Sequence, residues 1–180
     1  MGKKQEHSNS NYDTSIIRPQ MSRNDVALRG KGLSKKELTN IKKGLLALHM
    51  LELMAQTIYK FQITKEQNEL NRRLIAAMCN EMTHYQDFQV KLYEYGFRPG
   101  ILRWAYWLVG CTLGFTSKLI GPKAILRVGI WVETKAVRHY GELLETIEWD
   151  NDSRKIIEKD RADELGHIEN WKQLLESNQK

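Results

Sequence analysis

Apolar residues recur along this chain at helical intervals. Ile41, Leu45, Leu48, Glu52, Ala55 and Tyr59 follow one another at steps of four and three, which places them on one face of a helix. Ser34 and Glu37 have the capping-box spacing that would start it. Thr64 and Gln67 repeat that spacing before a second stripe of Leu70, Leu74, Ala77, Glu81, His84 and Phe88, which ends near Gly96 and Pro99. After an apolar run over 100–120, Gly121 and Pro122 have the form of an N-cap and first helical position. A third stripe follows through Leu126, Ile130, Glu133, Val137, Tyr140, Leu144 and Ile147. Turn chemistry at 150–153 precedes a fourth, through Ile157, Asp160, Glu164, His167, Trp171 and Leu174. No segment alternates with period two. The pattern predicts an all-α four-helix bundle, with an additional hydrophobic connector helix between the two helix pairs. A basic, flexible N-terminal arm is expected over 1–33, and one domain over 34–180.

Each long stripe carries a glutamate where an apolar residue belongs: Glu52, Glu81, Glu133 and Glu164. Two of them open Glu-x-x-His motifs, Glu81 with His84 and Glu164 with His167, and residues three apart share a helix face. Four buried carboxylates without counter-charge would cost several kcal/mol each. Two divalent cations would cancel the charge, and mixed carboxylate and imidazole ligands suit iron or manganese. This ligand pattern is that of di-iron carboxylate bundles. Asp163 and Asn80, each preceding a motif glutamate, are candidates to orient His84 and His167 from across the bundle. Tyr140 and His139 are candidates for a role beside the metals or the substrate. His49 fits either a supporting role or the helix surface.

Composition narrows the setting. The 180 residues carry 28 Lys and Arg against 22 Asp and Glu, a net charge of +6. The five charged residues between 95 and 132 are all basic: Arg98, Arg103, Lys118, Lys123 and Arg127. The uncharged run 104–117 is too short for a conventional span of roughly 20 residues. Its aromatics and basic flanks suit a membrane interface, which makes Arg103, Trp104, Trp107, Phe115 and Lys118 a candidate membrane contact and substrate entrance. Gly110 and Gly114 argue against one long straight helix there. Two cysteines are too few for a disulfide framework and fit a reducing compartment. The N-terminus has no apolar signal core. Basic residues around an apolar run do not form a nucleic-acid groove.

Over about residues 38–177 the chain resembles the demethoxyubiquinone hydroxylase family. Beyond the six ligand positions, the resemblance is carried by Ala55, Ile58, Tyr59, Gln62 and Phe88. It continues through the connector (Arg98, Pro99, Gly110, Leu113, Gly114, Leu119, Gly121 and Ala124) to the His139–Tyr140 pair and the Asp163-Glu164-Leu165-x-His167 motif. The chain departs from the family's first motif at Leu46, Leu48 and Leu51. The resemblance implies a ferritin-like bundle holding two iron ions through Glu52, Glu81, His84, Glu133, Glu164 and His167. With O2 as co-substrate, it implies an oxidoreductase, a monooxygenase hydroxylating a demethoxyubiquinol-type polyprenyl quinol in ubiquinone biosynthesis. It further implies a peripheral membrane protein on an anionic surface, at the cytoplasmic face of a bacterial inner membrane. Other ubiquinone-biosynthesis proteins or further copies of the chain are candidate partners. The residues also fit a ferritin-like iron and O2 oxidase, or a non-enzymatic membrane-associated bundle.

Overall fold

The computed structural model describes residues 21–177, and among these every long element is a helix. A 3-10 turn at Arg23–Asp25 is followed by α1 (Lys35–Gln62), α2 (Glu69–Glu94), α3 (Arg103–Ile120), α4 (Pro122–Thr146) and α5 (Asn151–Ser177). The expected capping box of α1 forms, with Ser34 and Glu37 satisfying each other's amides. That expected at Thr64 does not start α2. The Thr64 hydroxyl instead closes a short turn on the Glu66 amide. Asn68 caps α2 by accepting from the Asn71 amide at 2.8 Å. Gly121 and Pro122 open α4 as expected. Asp150 caps α5, accepting from the amides of Asp152 and Ser153.

α1 packs against α2 and α4 against α5, and the two hairpins face each other across the bundle axis with much sparser contact. Two apolar clusters fill the interior. One gathers Leu45, Leu48, Phe88, Leu92, Tyr140 and Ile157, and the other Ile58, Tyr59, Leu74, Leu126 and Trp171. Along each long helix the charged positions fall between these two clusters, so a polar layer is sealed at both ends by hydrophobic plugs. Water therefore cannot solvate that layer along the bundle axis.

The expected connector helix forms and runs unbroken through Gly110 and Gly114, which had counted against a long straight helix. A side chain at Gly110 would place Cβ 2.8 Å from the Met54 carbonyl, and one at Gly114 2.5 Å from the Ile58 carbonyl. The glycines let α3 lie against the backbone of α1, a benefit that outweighs their poor helix propensity. α3 also contacts α4. Its outer face is apolar and open, with Trp104 62% exposed and Trp107, Leu108, Phe115, Leu119 and Ile120 also exposed. No helix among the described residues is long and apolar enough to cross a membrane.

The expected mobile arm needs correction where it is described. Residues 1–20 lie outside the described residues, but 21–33 are seated on the bundle through Arg29. Its guanidinium spans Glu94 at 2.7 Å, Asp150 at 2.5 Å and Asp152 at 2.6 Å. The Ala27 and Arg29 amides add hydrogen bonds to Glu94. This joins the end of α2 to the start of α5. Charge count alone could not show it, because the arm's one internal partner looks like any other arginine.

Two stability predictions follow from these contacts. Gly114→Ala forces a methyl group onto backbone and should cost about 1–3 kcal/mol in urea unfolding. Gly141→Ala, whose Cβ would meet nothing nearer than 3.6 Å, should be neutral or stabilising. Equal effects would show that α3 does not depend on close approach. Arg29→Met should cost about 1.5–3 kcal/mol at neutral pH, since it strips hydrogen bonds from a buried carboxylate. Burial opposes charge on Asp150, but hydrogen bonds from Ser153 and Tyr95 and the Arg29 charge pull its pKa from 3.8 down to about 2. A depressed carboxylate stabilises the fold above its unfolded pKa, and the benefit disappears as pH falls through the folded value. The stability gap between wild type and Arg29→Met should therefore shrink between pH 4 and 2. A constant gap in acid denaturation would contradict the ion-pair account.

Candidate metal centre

The polar layer is built from six residues on four helices. α1 contributes Glu52, α2 contributes Glu81 and His84, α4 contributes Glu133, and α5 contributes Glu164 and His167; all six are buried. The three-residue spacing turns each histidine onto the same face as its glutamate. His84 Nδ1 lies 3.0 Å from Glu164 Oε1, 3.6 Å from Glu52 Oε2 and 3.7 Å from Glu81 Oε2. His167 Nδ1 lies 3.1 Å from Glu81 Oε1 and 3.2 Å from Glu164 Oε2. Glu81 and Glu164 thus divide their oxygens between the two histidines.

Three groups among the described residues have their ligand atoms within 4.8 Å of one another; the third, His84 with Asp160 and Asp163, lies at the layer's edge, and two four-residue sets fill the layer itself. One is Glu52, Glu81, His84 and Glu164; the other is Glu81, Glu133, Glu164 and His167. Glu81 and Glu164 belong to both. The donors fit a pair of metal ions, because several inward atoms have no hydrogen bond: Glu52 Oε2, both Glu81 oxygens, His84 Nδ1 and Glu164 Oε1. Such orphaned buried atoms carry a desolvation cost that a cation removes.

The electrostatics show the same crowding. Burial, reinforced by the neighbouring carboxylates, pushes Glu52 and Glu133 well above the usual carboxylate range. Burial would also raise Glu81, but its contacts with His167 and His84 override this and lower it. Burial disfavours charge on both histidines, yet the surrounding carboxylates win. They raise His84 far above its ordinary value and His167 to about 9.

The supporting residues form a second ring. His84 Nε2 points outward to Asp163 at 3.2 Å, and Asp160 lies 3.6 Å away. His167 Nε2 faces the Asn80 amide at 3.2 Å. Lys159 joins Asp160 and Asp163 at 3.1 and 3.0 Å, tying this edge to solvent. Tyr140 donates a hydrogen bond to Glu52, and Tyr59 to Glu133. Trp171 Nε1 donates to the Tyr59 hydroxyl in turn. The two halves of the site mirror each other, with one tyrosine on each single-glutamate helix bracing the other helix's glutamate.

Three expectations from sequence change here. His139 is not at the site: it lies partly exposed beside Glu142, one position around the helix from buried Tyr140. Tyr59, read as a stripe residue and a position of the family resemblance, and Asp160, read only as a stripe residue, do belong there. Of the two readings of His49, the helix surface is excluded: it is buried, stacked on Tyr85 at 4.1 Å, with Nε2 3.4 Å from Gln89 Oε1.

A small cavity of about 30 Å³ reaches the carboxylates between α1 and α4. Leu51, Met54, Ala55, Trp131, Val132, Lys135 and Ala136 line it above Glu52, Glu81, Glu133 and Glu164. The histidines lie on α2 and α5, so the approach is from the carboxylate side. None of Arg103, Trp104, Trp107, Phe115 and Lys118 lines this cavity. Trp104 and Trp107 pack edge to face, with Arg103 over the Trp104 ring, on the open side of α3. The Lys118 ammonium donates to the Ile63 carbonyl at 2.7 Å, so it holds the end of α1 as well as carrying charge.

The family model described as ubiquinone biosynthesis protein COQ7 matches residues 41–176. The chain is 33% identical over 125 residues to the NADPH-dependent 3-demethoxyubiquinone 3-hydroxylase, mitochondrial, of Dictyostelium discoideum, covering 67% of this chain and 58% of that protein. It is 28% identical over 163 residues to a 3-demethoxyubiquinol 3-hydroxylase of a Polaromonas species, covering 87% of this chain and 77% of that one. A protein of the same name from Legionella pneumophila is 26% identical over 137 residues, covering 75% and 64%. With 136 consecutive residues under the family model, spanning all six residues of the carboxylate and histidine layer, the chain belongs to the COQ7 family of ubiquinone-biosynthesis proteins.

Proposed function

We propose that this chain is a di-iron monooxygenase that hydroxylates a demethoxyubiquinol-type ring with O2 at a membrane surface. The observation that carries the reading is the pair of donor sets joined through Glu81 and Glu164. The names of the relatives supply the reaction, 3-hydroxylation of a demethoxyubiquinol. Four carboxylates balance two divalent cations, so loading converts the costliest part of the core into a neutral one.

Two iron ions held there would supply the reduction of O2 and delivery of one of its atoms to the ring. The protein's part is to bind, brace and exclude. Glu52 and Glu133 form the floor beneath the cavity, where substrate and O2 approach. Tyr140 and Tyr59 hold these carboxylates from behind, limiting how far they swing. Asp163 and Asn80 fix the outer nitrogens of the histidines, which sets their rings toward the centre. The Asn80 amide can meet an outer N–H with its oxygen after a half-turn. Leu51, Met54, Val132 and Ala136 leave an apolar neck that admits O2 and excludes bulk water. The open apolar face of α3, with Arg103 beside Trp104, would lie at the lipid interface and bring the site to a membrane-dissolved quinol.

Metal stoichiometry tests the shared-ligand arrangement. Glu164→Ala removes a donor common to both sets and should lower bound iron well below one ion per chain. Glu52→Ala touches one set and should leave about one ion, because the other four-residue set is intact. Plasma emission on folded, purified variants measures this; full occupancy in Glu164→Ala would end the two-metal assignment. Quinol-dependent O2 consumption by the iron-loaded wild type tests the reaction itself. Ferrous oxidation without quinol turnover would favour an iron oxidase instead.

The membrane reading has a separate test. Trp104→Ser with Trp107→Ser should weaken binding to phosphatidylglycerol vesicles by at least about tenfold, since two aromatic anchors are lost. Unchanged sedimentation with vesicles would remove α3 from the interface.

A further inference from the structure

The cavity above the carboxylates has a graded wall. Glu133 lies at its floor, Val132 and Ala136 form a buried neck, and Trp131 and Lys135 stand at the solvent-facing rim. The order follows from helical geometry. Trp131 and Lys135 are one turn apart on α4, Val132 and Ala136 lie about 100° further round, and Glu133 a further step inward. α1 repeats the gradient with partly buried Leu51 and Met54 above buried Ala55 and Glu52.

Both rim residues of α4 are exposed. Trp131 is 51% exposed, leaving a large aromatic surface in water. Lys135 is exposed and has no ion-pair or hydrogen-bond partner among the described residues. It is also the only cation among the residues lining this cavity. An indole face and a free ammonium thus frame the entrance to an oxidising centre. Together they suit a planar aromatic ring with an oxygen acceptor at its edge. Indole stacks on the ring, and the ammonium donates to a ring oxygen. At about 30 Å³ the cavity is far below the roughly 150 Å³ that holds a benzene ring, so a ring cannot enter whole. It must lie at the rim with one edge in the neck, which is where Trp131 and Lys135 are.

We infer that Trp131 and Lys135 form the head-group clamp of this enzyme: Trp131 covers the face of the quinol ring, and Lys135 donates a hydrogen bond to one of its oxygens, fixing which carbon meets the metal centre. This rests on the hydroxylase reading above. The pair determines specificity by excluding rings without a suitably placed oxygen, because the Lys135 ammonium would then lose water without gaining an acceptor.

The test uses the iron-loaded full-length chain and a methoxy-methyl-1,4-benzoquinone bearing one prenyl unit. A prenylated benzene without ring oxygens is the comparison ligand. Binding is measured by equilibrium dialysis, with steady-state kinetics on the reduced quinone. Trp131→Ala should weaken binding of both ligands about tenfold. Lys135→Met should weaken quinone binding about tenfold and leave the oxygen-free ligand unaffected, while Lys135→Arg should restore most of the loss. Iron content and thermal midpoint should match wild type in each case, and the effect should appear in KM more than in kcat. If wild type binds and hydroxylates the quinol but both variants do so equally well, the clamp is refuted while the hydroxylase reading stands. Loss of binding only alongside loss of iron or of fold would likewise refute it, because the residues would then be structural. If iron-loaded wild type neither binds nor turns over the quinol, the hydroxylase reading fails, and the clamp fails with it.

Discussion

The structure depends on the cost of placing four carboxylates and two imidazoles in a layer with no path to bulk water along the bundle. Each carboxylate is paired with a residue from another helix, so the layer fixes the relative position of all four long helices. Glu164 contacts histidines on α2 and α5, while Tyr59 and Tyr140 join α1 and α4 in both directions. A shift of one helix by a turn would break several of these contacts and leave charges buried alone, at several kcal/mol each. Apolar packing alone would tolerate such a shift better, because Leu, Ile and Phe repeat on every stripe. The polar layer therefore sets the register and the hydrophobic plugs supply the stability around it.

This division explains what the sequence shows and what it conceals. The inward-facing glutamates and histidines were legible because they depend on spacing within one helix: Glu81 with His84 and Glu164 with His167 share a face whatever they pack against. The same holds for the Ser34 cap and the Gly121–Pro122 junction. Contacts between helices were less legible. Tyr59 and Tyr140 stood on the right stripes, but nothing within either helix says that each braces a carboxylate on the other. Asp163 and Asn80 could be placed only through the rule that a ligand histidine needs an outer partner. His139 failed because adjacency in sequence means a rotation of about 100° on a helix, which carries it away from Tyr140's face.

The connector shows a different limit. Gly110 and Gly114 are poor helix formers by intrinsic propensity, which counts against a long straight helix there. What decides the matter is distance to a neighbour, since Cβ atoms at these positions would collide with carbonyls of α1. Close approach matters for the site as well as the fold. Met54 offers its carbonyl beneath Gly110 and also lines the cavity over the carboxylates. The segment pressed against α3 is thus the same one that forms the α1 wall of the entrance.

That shared residue relates the two surfaces the proposed function requires. An amphiphilic quinol has a ring to be oriented and a tail that gains by leaving water. In the clamp proposed above, the ring would lie at the rim between α1 and α4, where the buried neck ends. α3 crosses both helices and turns its apolar side outward, so a tail leaving the rim past Met54 meets α3 rather than open solvent. The chain then needs no enclosed tunnel for the tail, and the cavity itself can stay small. A larger permanent cavity would admit water to carboxylates whose behaviour depends on its exclusion. An apolar helix outside the bundle serves the tail without that cost, which accounts for a hydrophobic element placed beside the site rather than within it.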